Sequence, residues 1–151
     1  MSVLKDRIQA DLKAAMLARD ELVTQTLQGL KSAILYEEVA KKVREVGLDE
    51  AAIEQVVARE VKKRDEAAVM FDQGGNEQSA VKERTERDIL RGYLPKQLSE
   101  GEVKELIGRV VAELHPEGIK DMGRVIGAVK AQAGNTADGA LVAKLVKESL
   151  Q

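Results

Sequence analysis

Apolar side chains recur every three to four positions along almost the whole chain, the spacing of helices that turn one face to a core. Leu4, Ile8, Leu12 and Ala15 form one stripe, and Val23, Leu27, Leu30 and Ile34 a second. Asp20 stands before the second stripe, where a short polar side chain can accept from a free backbone N–H and start a helix. Gly47 interrupts the pattern and Asp49 opens a third helix, with Ile53, Val57, Val61, Ala68 and Phe71 on its apolar face. Gly74-Gly75-Asn76 reads as a turn. A fourth helix is expected from about Glu77 to Gly92. It ends ahead of Leu94-Pro95, because the residue before a proline is pushed out of helical geometry.

Beyond the seam Tyr93-Leu94-Pro95-Lys96-Gln97-Leu98, the helices shorten. Ser99 and Glu102 have the spacing of a capping box, in which each side chain bonds the other's backbone. Val103, Leu106, Ile107, Val110, Val111 and Leu114 follow as an apolar face, closed by His115-Pro116. Asp121 is placed to cap a helix carrying Met122, Val125, Ile126 and Val129, which Gly134-Asn135 ends. A last helix runs from about Asp138 with Leu141, Val142, Leu145, Val146 and Leu150. Alternating strand patterns are absent. The expected fold is all-α. An N-terminal bundle of about four longer helices over residues 1–94 precedes a C-terminal three-helix domain over 95–151, with the linker around Tyr93–Leu98. A lone core of that second size is marginal.

Composition removes whole classes of chemistry. With no cysteine and one histidine there is no disulfide, thiol nucleophile or multi-histidine metal site. Three aromatic residues, Tyr36, Phe71 and Tyr93, are too few for base-stacking platforms. No run approaches the roughly 20 apolar residues of a membrane span. The N-terminus has a charged residue at position 5 and no apolar segment of the secretory kind. A cytoplasmic location and no membrane partner are the expectations. No cofactor is implied.

The remaining candidates are weighed against plain helix surface. His115, before a proline at a helix end, is where a cation suits the helix dipole rather than where a general base needs its partners. Glu37-Glu38, Glu83 with Glu86 and Asp88, and Glu100 with Glu102 lie among lysines and arginines at helical spacing. Glu60 to Arg64 and Glu83 to Arg87 have the favourable i,i+4 polarity of solvated ion pairs. None of the serines lies in a nucleophile elbow, and Gly74-Gly75 lacks the lysine and hydroxyl residue of a phosphate loop. From Gly118 onward, five cations (Lys120, Arg124, Lys130, Lys144 and Lys147) face three acids (Asp121, Asp138 and Glu148), although the chain's net charge is −2. Such a patch makes salt-dependent phosphate contacts and reads no bases. Gly123 and Gly127, four residues apart on a helix, cost stability. Close approach of a packed helix is the expected reason, with close approach of an RNA or protein backbone as the alternative.

Several elements together resemble one family over nearly the whole chain: Ala15-Met16-Leu17-Ala18-Arg19-Asp20; Lys62-Lys63-Arg64; Glu83 and Glu86 before Tyr93-Leu94-Pro95-Lys96-Gln97-Leu98; Met122-Gly123-Arg124-Val125-Ile126; and Ala137-Asp138-Gly139. The chain resembles the GatB/YqeY family, and within it the free-standing YqeY-like proteins. In multi-domain relatives the similar pair of domains is the tRNA-contacting tail of the B subunit of a glutamine-dependent tRNA amidotransferase. Kinase and transamidation chemistry sits in other domains there, so the resemblance implies a carbon–nitrogen ligase label by association only. It implies a non-catalytic module that binds tRNA or a tRNA-aminoacylation or amidotransferase complex. The expected RNA contacts are Lys120, Gly123, Arg124, Gly127, Lys130, Lys144 and Lys147, with no catalytic residue and no metal. The alternatives are a protein–protein adaptor touching through Val39 and Val43, and an intrinsic amidase. Gln28 and Asn76 stand where the family often has arginine, so the N-terminal half is expected to offer few phosphate contacts.

Overall fold

In the computed structural model, residues 2–151 are described, and they form seven α-helices and no strand. Among the described residues, no helix is long and apolar enough to cross a membrane. The helices fall into two units, divided between Leu94 and Pro95.

The first unit holds α1 (Val3–Leu17), α2 (Glu21–Ala40), α3 (Glu50–Gln73) and α4 (Glu77–Arg91). Each starts on a short polar cap: Ser2 accepts from Lys5 N, Asp20 from Val23 N, Asp49 from Ala52 N and Asn76 from Ser79 N. Asn76 thus terminates the Gly74-Gly75 turn by satisfying a donor of α4. Glu50, the first residue of α3, also bonds the start of α1, accepting from Ser2 Oγ and from Leu4 N at 2.9 Å.

The stripes meet in one core. Leu4, Ile8 and Leu12 pack with Leu27, Leu30, Ile34, Ile53, Val56, Val57, Val61 and Leu90. Tyr93 joins them from the end of the unit. Its hydroxyl donates to Asp11 Oδ2 at 2.5 Å, and the Arg7 guanidinium lies 4.7 Å from its ring centre. Burial, and next the bond to Asp11, push the Tyr93 hydroxyl well above its ordinary pKa. Tyr93 and Leu94 therefore belong to the first core, while Leu98 packs in the second.

Three expectations change. Phe71 is on the surface, at 36% exposure, because α3 runs past the core after Val61. Val43 packs against the core instead of forming a contact surface, while Val39 remains exposed. Glu83 does not pair with Arg87. Arg87 reaches across to Asp65 on α3 at 2.8 Å and to the neighbouring Asp88 at 3.0 Å.

The second unit holds α5 (Glu100–Leu114), α6 (Met122–Ala133) and α7 (Gly139–Leu150). Val103, Ile107, Val110, Val125, Val129, Val142 and Val146 fill its core. The Ser99–Glu102 capping box forms with both of its bonds. His115 ends α5 in the left-handed conformation, φ 49°. Asp121 precedes α6 but makes no side-chain cap there; it is the last residue of a 3₁₀ turn, Ile119–Asp121, and accepts from Glu117 N at 2.8 Å. Leu98 N donates to Thr136 O, and the Gln97 amide to Asn135 O, so the turn between α6 and α7 holds the start of the unit.

Candidate functional site

The expected acid clusters are occupied by structural bonds. Glu37 lies between Arg59 at 3.1 Å and Lys41 at 3.3 Å, and these cations, Arg59 first, hold its carboxyl below the usual range. Glu38 is 2% exposed and accepts from Lys5 Nζ at 2.9 Å and from Leu48 N at 3.2 Å. It ties the α2–α3 loop to α1, and Gly47 (φ 84°) is needed there because a Cβ would come within 3.2 Å of its carboxylate. Glu102 is held low by Ser99 N in the capping box. Glu86 differs: burial, and then the charge of Glu83, raise its pKa above the usual range even though Arg64 Nε lies 3.7 Å away. His115 is exposed. Among the described residues no group of three or more His, Asp or Glu lies close enough to hold a metal ion.

The cations of the second unit expected from the sequence lie before α6, on α6 and on α7. Lys120 sits in the 3₁₀ turn before the helix and pairs with Glu117. Arg124, in the first turn of α6, donates through Nη2 to Leu114 O at 3.2 Å and lies 3.8 Å from Asp121 Oδ2. It closes a free carbonyl at the end of α5, where a cation also suits the helix dipole. Half of its side chain remains in solvent. Lys130 stands in the last turn of α6. Its Nζ lies 3.3 Å from where a Cβ at Gly139 would be, so the glycine opening α7 leaves room for the lysine. Lys144 and Lys147 lie about 7 and 12 Å further along α7. Lys130, Lys144 and Lys147 make no ion pair among the described residues.

Gly123 and Gly127 overturn the packing expectation. Both are exposed, and a Cβ at either meets nothing within 4 Å. Val125, Val129 and Ala133 are the buried face of α6, so the glycines share the side turned away from the core. No neighbouring helix needs them. They leave a strip of α6 without side chains on the helix that carries Arg124 and Lys130.

The class defined by these features is a two-unit, all-helical protein whose smaller unit carries an open glycine strip on α6, the helix that also bears Arg124 and the unpaired Lys130. Residues 5–150 match the family described as Yqey-like protein, and the chain belongs to that family. It is 26% identical over 151 residues to altered inheritance of mitochondria protein 41, mitochondrial, of Pyrenophora tritici-repentis, covering 97% of this chain and 81% of that one. The protein of the same name from Lachancea thermotolerans is 28% identical, with 71% of this chain and 57% of the relative aligned. That from Kluyveromyces lactis is 34% identical, with 57% and 45% aligned. Against the latter two, the match spans about half of the relative's length.

These relatives are named as mitochondrial proteins, which corrects the expectation of a cytoplasmic location. That expectation rested on the lack of an apolar leader. Mitochondrial targeting segments are amphipathic and Arg-rich instead, so an apolar pattern does not separate the two compartments.

Proposed function

We propose that this protein is a non-catalytic helical module that docks on tRNA, alone or within a tRNA-aminoacylation or amidotransferase complex, through α6 and the start of α7. The observation that carries the reading is the open Gly123–Gly127 strip. Two glycines in a helix cost about 1 kcal/mol each relative to alanine, and nothing within the chain uses the space they leave. A sugar–phosphate backbone lying along the strip comes within reach of Arg124 and Lys130. Lys120, in the turn before α6, and Lys144 and Lys147, exposed on α7, are the further candidate phosphate contacts. Lys120 must first exchange Glu117 for a phosphate, so its contribution is smaller than that of the unpaired lysines.

Phosphate contact of this kind gives affinity without base selectivity. Binding of fluorescent deacylated tRNA should weaken with salt by roughly 0.7–0.9 in log–log slope for each phosphate contacted. Gly127→Leu separates close approach from charge alone. Leucine is a good helix former, so the variant should be at least as stable as the parent. Its side chain fills the strip, and tRNA affinity should fall by about tenfold or more, roughly 1.4 kcal/mol. A stable Gly127→Leu protein with unchanged, salt-dependent affinity would overturn the proposed approach.

A further inference from the structure

We infer that the outer face of α2 pairs, antiparallel, with the same face of a second copy of this chain. The buried side of α2 is Thr26, Leu27, Leu30, Ile34 and Glu38. On the side turned away from that core, Glu21, Gln25, Gln28, Ser32, Leu35 and Val39 are all exposed, at alternating steps of four and three. This is the heptad spacing of a helix-pairing seam, which keeps one edge along nearly the whole helix. Within the seam only Glu21, at its start, is charged. The other charges of α2 are engaged: Lys31 bonds Gln9, Glu37 is held by Arg59 and Lys41, and Glu38 is buried on Lys5. Four of the 20 residues of α2 are charged, against eight of 15 in α4, so α2 lacks the charged coat of a solvated helix. The second half of its outer face is apolar and open, with Leu35 44% exposed, Val39 54% and Tyr36, beside the seam, 77%. A helix apolar on two sides has a second surface to bury.

The two ends of α2 select the occupant. Asp20 and Glu21 open the helix, and Lys41, Lys42 and Arg44 follow it, all of them exposed. Asp20, Glu21, Lys42 and Arg44 make no ion pair among the described residues, and Lys41 pairs with Glu37. Counting Arg19 and Glu45 as well, the start remains net negative and the end net positive. In an antiparallel pair each acidic start meets the basic end of the other copy, and the helix dipoles oppose. A parallel pair would set Glu21 against Glu21 and Lys42 against Lys42. With the two-fold axis between Ser32 and Leu35, each Leu35 packs on the small Ser32 of the other copy and each Val39 on Gln28. The face is then its own complement, as two-fold association requires. A partner of uniform charge matches one end only, and an anionic membrane attracts the basic end but repels the acidic start. One helix pair with three apolar side chains from each copy is a small interface, so the dimer is weak and reversible.

The test is sedimentation velocity of the full-length protein over a rising series of concentrations. A reversible monomer–dimer equilibrium is expected. Leu35→Lys should weaken it by about tenfold or more, because it removes the apolar knobs at the axis and sets two lysines there. Glu21→Lys and Lys42→Glu should each weaken the dimer, and the double variant, with the charges of the two ends exchanged, should restore it. All three positions are solvent-facing, and circular dichroism checks that each variant keeps its fold. Val81→Lys, exposed on α4, should change nothing. A monomer at every concentration, a dimer indifferent to Leu35→Lys, or a double variant no tighter than the single ones would overturn the inference.

Discussion

The α3–α4 hairpin and the α5–α7 bundle both pack helix against helix, with opposite chemistry. α4 buries only Ala80 and Leu90. Along the hairpin, Arg87–Asp65, Arg64–Glu60 and Arg84–Asp72 bridge or brace the helices, with Ala68 and Ala80 buried between them. The smaller bundle buries branched aliphatic side chains from all three helices and leaves Lys130, Lys144 and Lys147 without ion pairs. The two halves of the sequence carry nearly the same net charge, yet their cations do different work. In the hairpin every arginine is held by a carboxylate, and only Lys62 and Lys82 make no ion pair among the described residues. In the bundle, four of seven (Arg109, Lys130, Lys144 and Lys147) make no ion pair among the described residues and are available to something outside the chain. The number of unpaired cations, rather than the net charge, is what marks a surface for an anionic partner.

The largest expected break in this comparison is in the small apolar core. Ile107→Ala should cost about 2–5 kcal/mol, enough to unfold much of a marginal unit of this size. Urea unfolding followed by circular dichroism should lose the contribution of the second unit first. A two-state curve shifted by under about 1 kcal/mol would mean that this core is not what holds the unit.

The hairpin should respond differently. Arg64 is largely buried, its Nε has no hydrogen-bond partner, and Glu86 Oε2 is 3.7 Å away. Arg64→Ala leaves Glu60 and Glu86 without their buried cation and should cost about 3 kcal/mol. Replacing the pair together, Arg64→Met with Glu86→Leu, should be neutral or stabilising, because the desolvation penalty goes with the charges. A double variant as damaged as Arg64→Ala would show that the ion pair has a net stabilising role.

The smallest effect, and the sharpest in sign, is that of pH on Glu86. Its folded pKa is raised above 4.5, so the folded state holds this proton more tightly than the unfolded state. Stability from this group is present below about pH 4.5 and is lost as pH rises through the raised value. Glu86→Gln should therefore stabilise the protein at pH 7 and lose that advantage in acid. Equal gains at pH 7 and pH 4 would assign the effect to packing. Glu37 and Glu102 have the opposite sign, since both are held low in the folded state. Their stabilisation is present above the usual carboxylate range and lost as pH falls below it.

The helical stripes could be read one by one because each is a local pattern. Leu4-Ile8-Leu12 and Val142-Leu145-Val146 are buried where the 3.6 period puts them. The caps at Asp20, Asp49 and Ser99 were readable for the same reason, since a cap bonds a donor two or three residues away. Asp121 misled because its carboxylate had a rival donor, Glu117 N, on the other side. The i,i+4 rule placed Glu60 with Arg64 correctly, but could not foresee that Arg87 would find Asp65 on another helix. Phe71 lies on the predicted stripe, yet no pattern within α3 records where the core beneath it stops.

The sequence by itself determined the all-helical class, the helix faces and most helix ends, because these depend on interactions within about one turn. It also held the residues on which the family resemblance rests. Only the tertiary structure decided which charges are used up and which remain. Glu38, buried, and Lys5, 33 positions away and half-exposed, form an ion pair, whereas Lys144 and Lys147 face solvent unpaired. Only the structure, likewise, turned the glycines of α6 from a packing expectation into an open strip. Pairing and exposure depend on groups distant in sequence, and the chain's local periodicity carries no record of them.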